Sequence, residues 1–137
     1  MKPLKRFLIL GLIILVLSLA WEFAHCSLYV DLSGIPKYPH LIIASLTDTL
    51  IILGIFAIVS LKNKNTNWIK SPNKIDYLLV VLLGFAVSAL IELINLSLGR
   101  WKYTGAMPTV LGIGISPLIQ LALTGIISLI IISHIRE

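Results

Sequence analysis

Three acidic residues of this chain lie within long apolar runs, where an ionisable side chain is costly and is usually functional. They are Glu22, Asp48 and Glu92, half of the six acidic residues in the sequence. Three carboxylates that lie close together cannot all remain ionised without a cation, because burial and like charges both disfavour the ionised form. Protonation, an Arg or His partner, a metal ion or a cationic substrate would each satisfy them.

Other polar residues accompany these acids at helical spacing. Glu22 and His25 are three residues apart, as are Glu92 and Asn95, and residues at this spacing share one face of a helix. Small residues continue these faces, which allows neighbouring helices to approach closely. The candidate residues for binding a substrate or protons are Glu22, His25, Asp48, Glu92, Asn95, Arg100, Tyr103 and Gln120.

Membrane-spanning helices must position these residues. A helix of about 20 apolar residues crosses the roughly 30 Å hydrocarbon layer, and an unpaired backbone cannot face lipid. The sequence is 58% hydrophobic and only 12% charged, about half the charged fraction of a typical soluble domain. We therefore predict an all-α membrane protein, a single transmembrane domain over residues 1–137 that forms a four-helix bundle, with helices at about 7–29, 40–61, 75–98 and 109–133.

The positive residues predict the orientation, because cytoplasmic loops are richer in lysine and arginine. Eight of the eleven lie in the N-terminal segment, the linker between the second and third helices, and the C-terminal tail. We therefore predict a multi-pass protein of the cell membrane with both termini in the cytoplasm and outer loops at 30–39 and 99–108. Tyr29, Tyr38, Trp101 and Tyr103 suit an interfacial aromatic belt on the outer side.

This topology brings the three acids to one depth. With a rise of about 1.5 Å per residue, Glu22 lies roughly 10 Å, Asp48 roughly 12 Å and Glu92 roughly 9 Å from the outer ends of their helices. Alternating helix directions then gather the three side chains at one level. The sequence therefore predicts a polar, acidic pocket within the membrane that opens outward.

The fourth apolar run has two interpretations. Ser116 and Pro117 suit an N-cap followed by proline at the first helical position, which would leave non-helical backbone before them and free N–H groups for an anion or polar substrate. The alternative is a continuous, kinked helix that begins after Pro108. Gly112 and Gly114 would weaken a helix that began earlier, and the sequence leaves both interpretations open.

Three functions are compatible with the buried acids. The leading hypothesis is a site that binds a small molecule or transports it in exchange for protons, within a homo-oligomer. The second is an enzyme that acts on a lipid or isoprenoid, with carboxyl groups as general acid and base and His25 or Tyr103 assisting. The third is a structural or accessory subunit in which Arg100, Lys102 or His40 pairs with the acids.

Several other classes of function are not supported. Glu22 and His25 have the spacing found in di-iron bundles, but these need a second Glu-x-x-His pair, so we predict no metal and no cofactor. Cys26 is the only cysteine, which excludes an intrachain disulfide. The net charge of +5 is explained by the loops, so we predict no nucleic-acid partner. The expected partners are the lipid bilayer, a small-molecule or lipid ligand, and further copies of the chain.

Four segments together resemble a group of small, uncharacterised prokaryotic integral membrane proteins with four helices. The segments are Trp21-Glu22, Ala44-Ser45-Leu46-Thr47-Asp48, Gly99-Arg100-Trp101-x-Tyr103-x-x-x-Met107-Pro108, and Gly112-x-Gly114-x-x-Pro117-x-x-Gln120. The similarity covers most of the chain and carries no established activity. It implies a shared polar outer pocket and nothing about a substrate.

Overall fold

The computed structural model of the chain describes residues 2–30 and 37–135. The described residues form a bundle of four helices, each long and apolar enough to cross a membrane, as the composition predicted. Part of the predicted outer loop at 30–39 lies outside the described residues. The helices are α1 (Pro3–His25), α2 (Lys37–Asn63), α3 (Lys74–Ser97) and α4 (Ile115–His134).

The end of the bundle that carries the linker between α2 and α3 is closely packed. The linker contains a short 3-10 helix, Thr66–Lys70, whose Trp68 is buried and donates from Nε1 to the hydroxyl of Ser60 at 2.7 Å. Asn73 and Asp76 form a reciprocal capping box at the start of α3, which satisfies free backbone donors of a helix N-terminus. Asn63 then donates to Asp76 at 2.8 Å, so α2 and α3 are joined firmly at this end.

α3 and α4 pack most extensively of all the helix pairs. Their seam contains Gly84, where an added Cβ would lie 2.8 Å from the backbone of Ala122. The absence of a side chain therefore allows the close approach, as expected for small residues on membrane helices. This seam sets the position of α4 relative to the acidic face of α3.

The opposite end of the bundle is built from the segment between α3 and α4. Its Tyr103 forms an isolated antiparallel bridge with Tyr29, which follows the short 3-10 helix Cys26–Leu28 at the end of α1. Val30 donates to the carbonyl of Lys102 at 2.9 Å, and Thr104 donates to that of Leu28 at 2.8 Å. These backbone bonds hold the aromatic residues of the segment above the end of α1.

The fourth helix begins at Ile115, about six residues later than the sequence predicted, and the continuous alternative is wrong. Two short strands, β1 (Thr109–Val110) and β2 (Ile113–Gly114), pair there as a hairpin. Gly112, in the turn, has φ +81°, which a right-handed helix excludes. Gly114, not Ser116, is the N-cap, and the Ile115 N–H donates to the Pro108 carbonyl at 2.8 Å.

Candidate functional site

The first part of the site joins α1 to α4 through His25. This ring is buried, and its Nδ1 lies 2.8 Å from the hydroxyl of Ser116 in the first turn of α4. Its Nε2 lies 3.4 Å from Oε2 of Glu22, one turn earlier on α1. Ser116 thus contacts a site residue of α1 where the sequence predicted a helix cap. A neutral imidazole with its hydrogen on Nε2 satisfies both contacts, since the serine hydroxyl then donates to Nδ1.

Gln120 connects the acids of α1 and α2. Its side-chain Nε2 donates to Oε1 of Glu22 at 2.7 Å and to Oδ2 of Asp48 at 2.6 Å. A primary amide carries two hydrogens, so one buried group serves both carboxyl groups. The carboxyl groups of Glu22 and Asp48 therefore lie beside the same nitrogen.

Glu92 is held separately, by aromatic donors. Its Oε2 accepts hydrogen bonds from the phenol of Tyr103, from Nε1 of Trp101 at 3.3 Å and from the phenol of Tyr29 at 3.5 Å. Burial and the proximity of Glu92 raise the pKa of both phenols well above the usual value, so each keeps its proton and donates. Among the described residues, no donor reaches Oε1 of Glu92, which leaves this oxygen available for a proton or a ligand.

Arg100 does not neutralise any of the three acids. Its Nη1 donates to Oδ1 of Asn95 at 3.2 Å, and Nδ2 of Asn95 donates to the backbone carbonyl of Ile91 at 2.7 Å. The ion pairs recorded within residues 2–30 and 37–135 are His25–Glu22 and Lys62–Asp76. Arg100, Lys102 and His40 therefore do not form the pairs that the structural hypothesis expected within this part of the chain.

All three acids line one cavity of about 890 Å³. Of the eight candidates from the sequence, seven line the cavity. The eighth, Tyr103, does not line it but donates a hydrogen bond to Glu92. The lining residues that were not among the candidates include Tyr29 and Trp101, predicted as parts of an aromatic belt, and Ser88, one turn from Glu92 on α3. The cavity's polar and charged candidates are Glu22, His25, Asp48, Glu92, Asn95, Arg100 and Gln120.

Ser88 differs from the other polar residues of the cavity. Its side chain is 3% exposed, and its hydroxyl has no hydrogen-bond partner among residues 2–30 and 37–135. A serine inside a helix usually donates to the carbonyl one turn earlier, as Ser45 does on α2. A buried hydroxyl without a partner is costly, so Ser88 supplies an unused polar contact in the wall of the cavity.

Within the described ranges, no three His, Cys, Asp or Glu side chains are grouped so that they could hold a metal ion. The groups that the site presents are carboxyl groups, an amide, an imidazole and aromatic hydrogen-bond donors. Comparison of the chain with models of protein families, with curated proteins and with solved structures finds no match.

Proposed function

We propose that this multi-pass membrane protein binds a small molecule in its acidic cavity and exchanges it for a proton held by Glu22 and Asp48. The observation that carries the proposal is the contact of both carboxyl groups with one amide, Gln120, at 2.7 and 2.6 Å. Two carboxyl groups this close do not both ionise in a desolvated site. A shared proton neutralises one charge, and a cationic ligand would replace that proton.

The surroundings of the pair support this assignment. Besides the pair, the titratable or charged groups that line the same cavity are His25, Cys26, Tyr29, His40, Glu92 and Arg100. Arg100 is exposed and donates to the neutral amide of Asn95, so it keeps its charge, and His25 is shared between Glu22 and Ser116. Glu22, Asp48 and Glu92 outnumber this one guanidinium, so the cavity keeps an excess of acidic groups. Its volume of about 890 Å³ lies within the range of roughly 300–1,000 Å³ that small-molecule pockets occupy.

Infrared spectroscopy of the purified protein tests whether the pair holds a proton. At neutral pH we expect a carbonyl band from a protonated carboxyl group, which should disappear both in Glu22→Gln and in Asp48→Asn. Either substitution supplies an amide that donates to the remaining carboxylate without a titratable proton. Ser97→Ala, an exposed position on α3 outside the cavity, is the control and should keep the band. Absence of the band from the wild-type protein would contradict the proposal.

The membrane is the cell membrane and both termini are cytoplasmic under this proposal, so the cavity opens outward. Cys26 tests the orientation, because it is the only cysteine and lines the cavity. A membrane-impermeant maleimide should label it in intact cells, and Cys26→Ser should not be labelled. Asn67→Cys in that background, at an exposed linker position, should react only after the cells are opened. The reverse pattern would mean that the cavity faces the cytoplasm.

An enzyme acting on a lipid is the second candidate, favoured by the unequal surroundings of the paired carboxyl groups. Glu22 contacts both His25 and Gln120, whereas the contact recorded for Asp48 is with Gln120. Different surroundings can separate a general acid from a general base. Mass spectrometry of membrane lipids incubated with the protein distinguishes the two functions: a new lipid product lost in Asp48→Asn favours the enzyme, and unchanged lipids favour exchange.

A further inference from the structure

The cavity is not enclosed by the bundle on the side of α2. Ile43 lines the cavity but is 61% exposed, and Thr47, one turn further along α2, also lines it and is exposed. Their neighbours Ile42 and Leu46 are exposed on α2 without lining the cavity. The cavity therefore reaches the outer surface of the bundle along one edge of α2, at a position that faces lipid.

The gap follows from how α2 and α3 are joined. These helices contact each other less than α3 contacts α4 or α1 contacts α2. Their firm contact is at the linker end, where Asn63 donates to Asp76 and where Phe56, Val59 and Val80 belong to one buried apolar cluster. The lining residues of α2 and α3 lie towards the other ends, at 40–51 and 88–95. The cavity therefore lies at the end of this helix pair that is packed less closely.

The polar groups of the cavity favour a cation. Glu22, Asp48 and Glu92 all line it, and Oε1 of Glu92 accepts no hydrogen bond from the residues that the structure describes. The rings of Tyr29 and Trp101 lie next to Glu92, with centroids 6.3 Å apart at 88°. Aromatic faces attract cations, most strongly where water is excluded. The hydroxyl of Ser88, which has no partner in the described part of the chain, adds a hydrogen-bonding position one turn from Glu92.

The rest of the wall is apolar. Ile43 and Ile51 from α2, Ile91 from α3 and Leu121 from α4 line the cavity beside the acids. An ion without an apolar part would leave these side chains without packing partners, whereas a hydrocarbon tail makes van der Waals contacts with them. The ligand that matches both parts has a cationic nitrogen and a hydrocarbon tail.

We propose that the ligand is an alkylamine-type amphiphile, which enters from the lipid between α2 and α3 and places its nitrogen between Glu92 and the Glu22–Asp48 pair. This inference rests on the proposed function and specifies its substrate class. As the ligand binds, the proton shared by Glu22 and Asp48 leaves, and the cationic nitrogen takes its place beside the two carboxyl groups. The N–H group of the ligand donates to Oε1 of Glu92. The tail lies against the isoleucines of α2 and α3.

A competition binding experiment tests whether the ligand needs both a positive charge and a hydrocarbon tail. The protein is placed in phosphatidylcholine nanodiscs, with empty nanodiscs as background, and saturable binding of radiolabelled tetraphenylphosphonium is measured. We expect decylamine to displace this cation, and decanol, decanoate and tetramethylammonium to displace it at least about tenfold less well, since each lacks the charge or the tail. Glu92→Gln should weaken the binding of decylamine about tenfold or more, and Ser97→Ala should leave it unchanged.

A matched pair of substitutions tests whether the ligand enters from the lipid between α2 and α3. Thr47→Trp fills the exposed edge of the cavity and should slow association of the probe, whereas Leu46→Trp adds the same bulk to an exposed position outside the cavity. Equal thermal unfolding of the two variants controls for folding. Equal association rates in the two variants would overturn the lipid passage.

The outcomes separate this inference from the proposed function. Equal displacement by decanol or decanoate would overturn the cationic amphiphile and leave a small-molecule site in place. Failure of both tetraphenylphosphonium and radiolabelled decylamine to bind above the background of empty nanodiscs would overturn the inference. If the infrared band of the protonated carboxyl group were also absent, the proposed proton exchange would fail with it.

Discussion

Asp48→Asn should abolish the pH dependence with which the protein binds tetraphenylphosphonium. In the wild-type protein, binding the cation displaces the proton shared by Glu22 and Asp48, so lowering the pH weakens binding. Linkage requires the affinity to rise about tenfold per pH unit while the pair holds that proton, or about a hundredfold over two units. In Asp48→Asn the amide donates to Glu22 without a titratable proton, so the affinity should vary little with pH. Binding in nanodiscs over a pH series measures the slope.

Two further variants identify the source of the proton. Glu22→Gln should flatten the pH profile as Asp48→Asn does, because the proton belongs to the pair and not to either residue alone. Ser97→Ala should keep the wild-type slope. A full slope in both pair variants would assign the proton to another titratable group in the cavity wall, such as Glu92 or His25, and would disprove exchange at the pair.

Gln120→Leu is expected to have the largest effect on stability. Leucine removes both donated hydrogen bonds and leaves two carboxyl groups desolvated beside each other. Removing one partner of a buried polar network costs more than the bond itself contributes, here about 2–5 kcal/mol of the free energy of unfolding. Thermal unfolding in detergent, followed by tryptophan fluorescence, should show a clear decrease in the unfolding temperature.

The double variant Gln120→Leu with Asp48→Asn provides the matched comparison. Its asparagine amide can donate to Glu22, so part of the lost stability should return, and the two substitutions should be non-additive. An unfolding temperature of Gln120→Leu equal to that of the wild type would mean that the amide does not hold the two carboxyl groups together. The shared proton would then lose its structural basis.

Much of the architecture could be predicted from the sequence for local reasons. The number of helices follows from the length and apolar character of the runs, because each span must satisfy its own backbone. The common level of Glu22, Asp48 and Glu92 follows from helical rise and alternating direction. Periodicity also placed Glu22 and His25 on one face. Each of these properties depends on a single helix and on the thickness of the membrane.

The residue at which α4 begins could not be predicted from the sequence of the helix alone, because it depends on contacts with the preceding segment. Ser116 and Pro117 are a strong local signal for a cap and a first helical position. The helix nevertheless starts at Ile115, since the preceding residues pair as a hairpin and the Ile115 N–H donates to Pro108. Ser116 is then free to contact His25. Local propensity is weaker than such contacts, which is why helix boundaries are the least predictable feature.

The sequence by itself determined that three acids lie at one level in a four-helix membrane protein. Only the tertiary structure decided their partners: Glu22 and Asp48 share Gln120, whereas Glu92 is held by Tyr103, Trp101 and Tyr29. Helical periodicity fixes which residues share a face, but the rotation of each helix about its axis is set by packing between helices, as at the α3–α4 seam. The path of the segment after α3 brings the aromatic donors to Glu92, and no local pattern specifies that path.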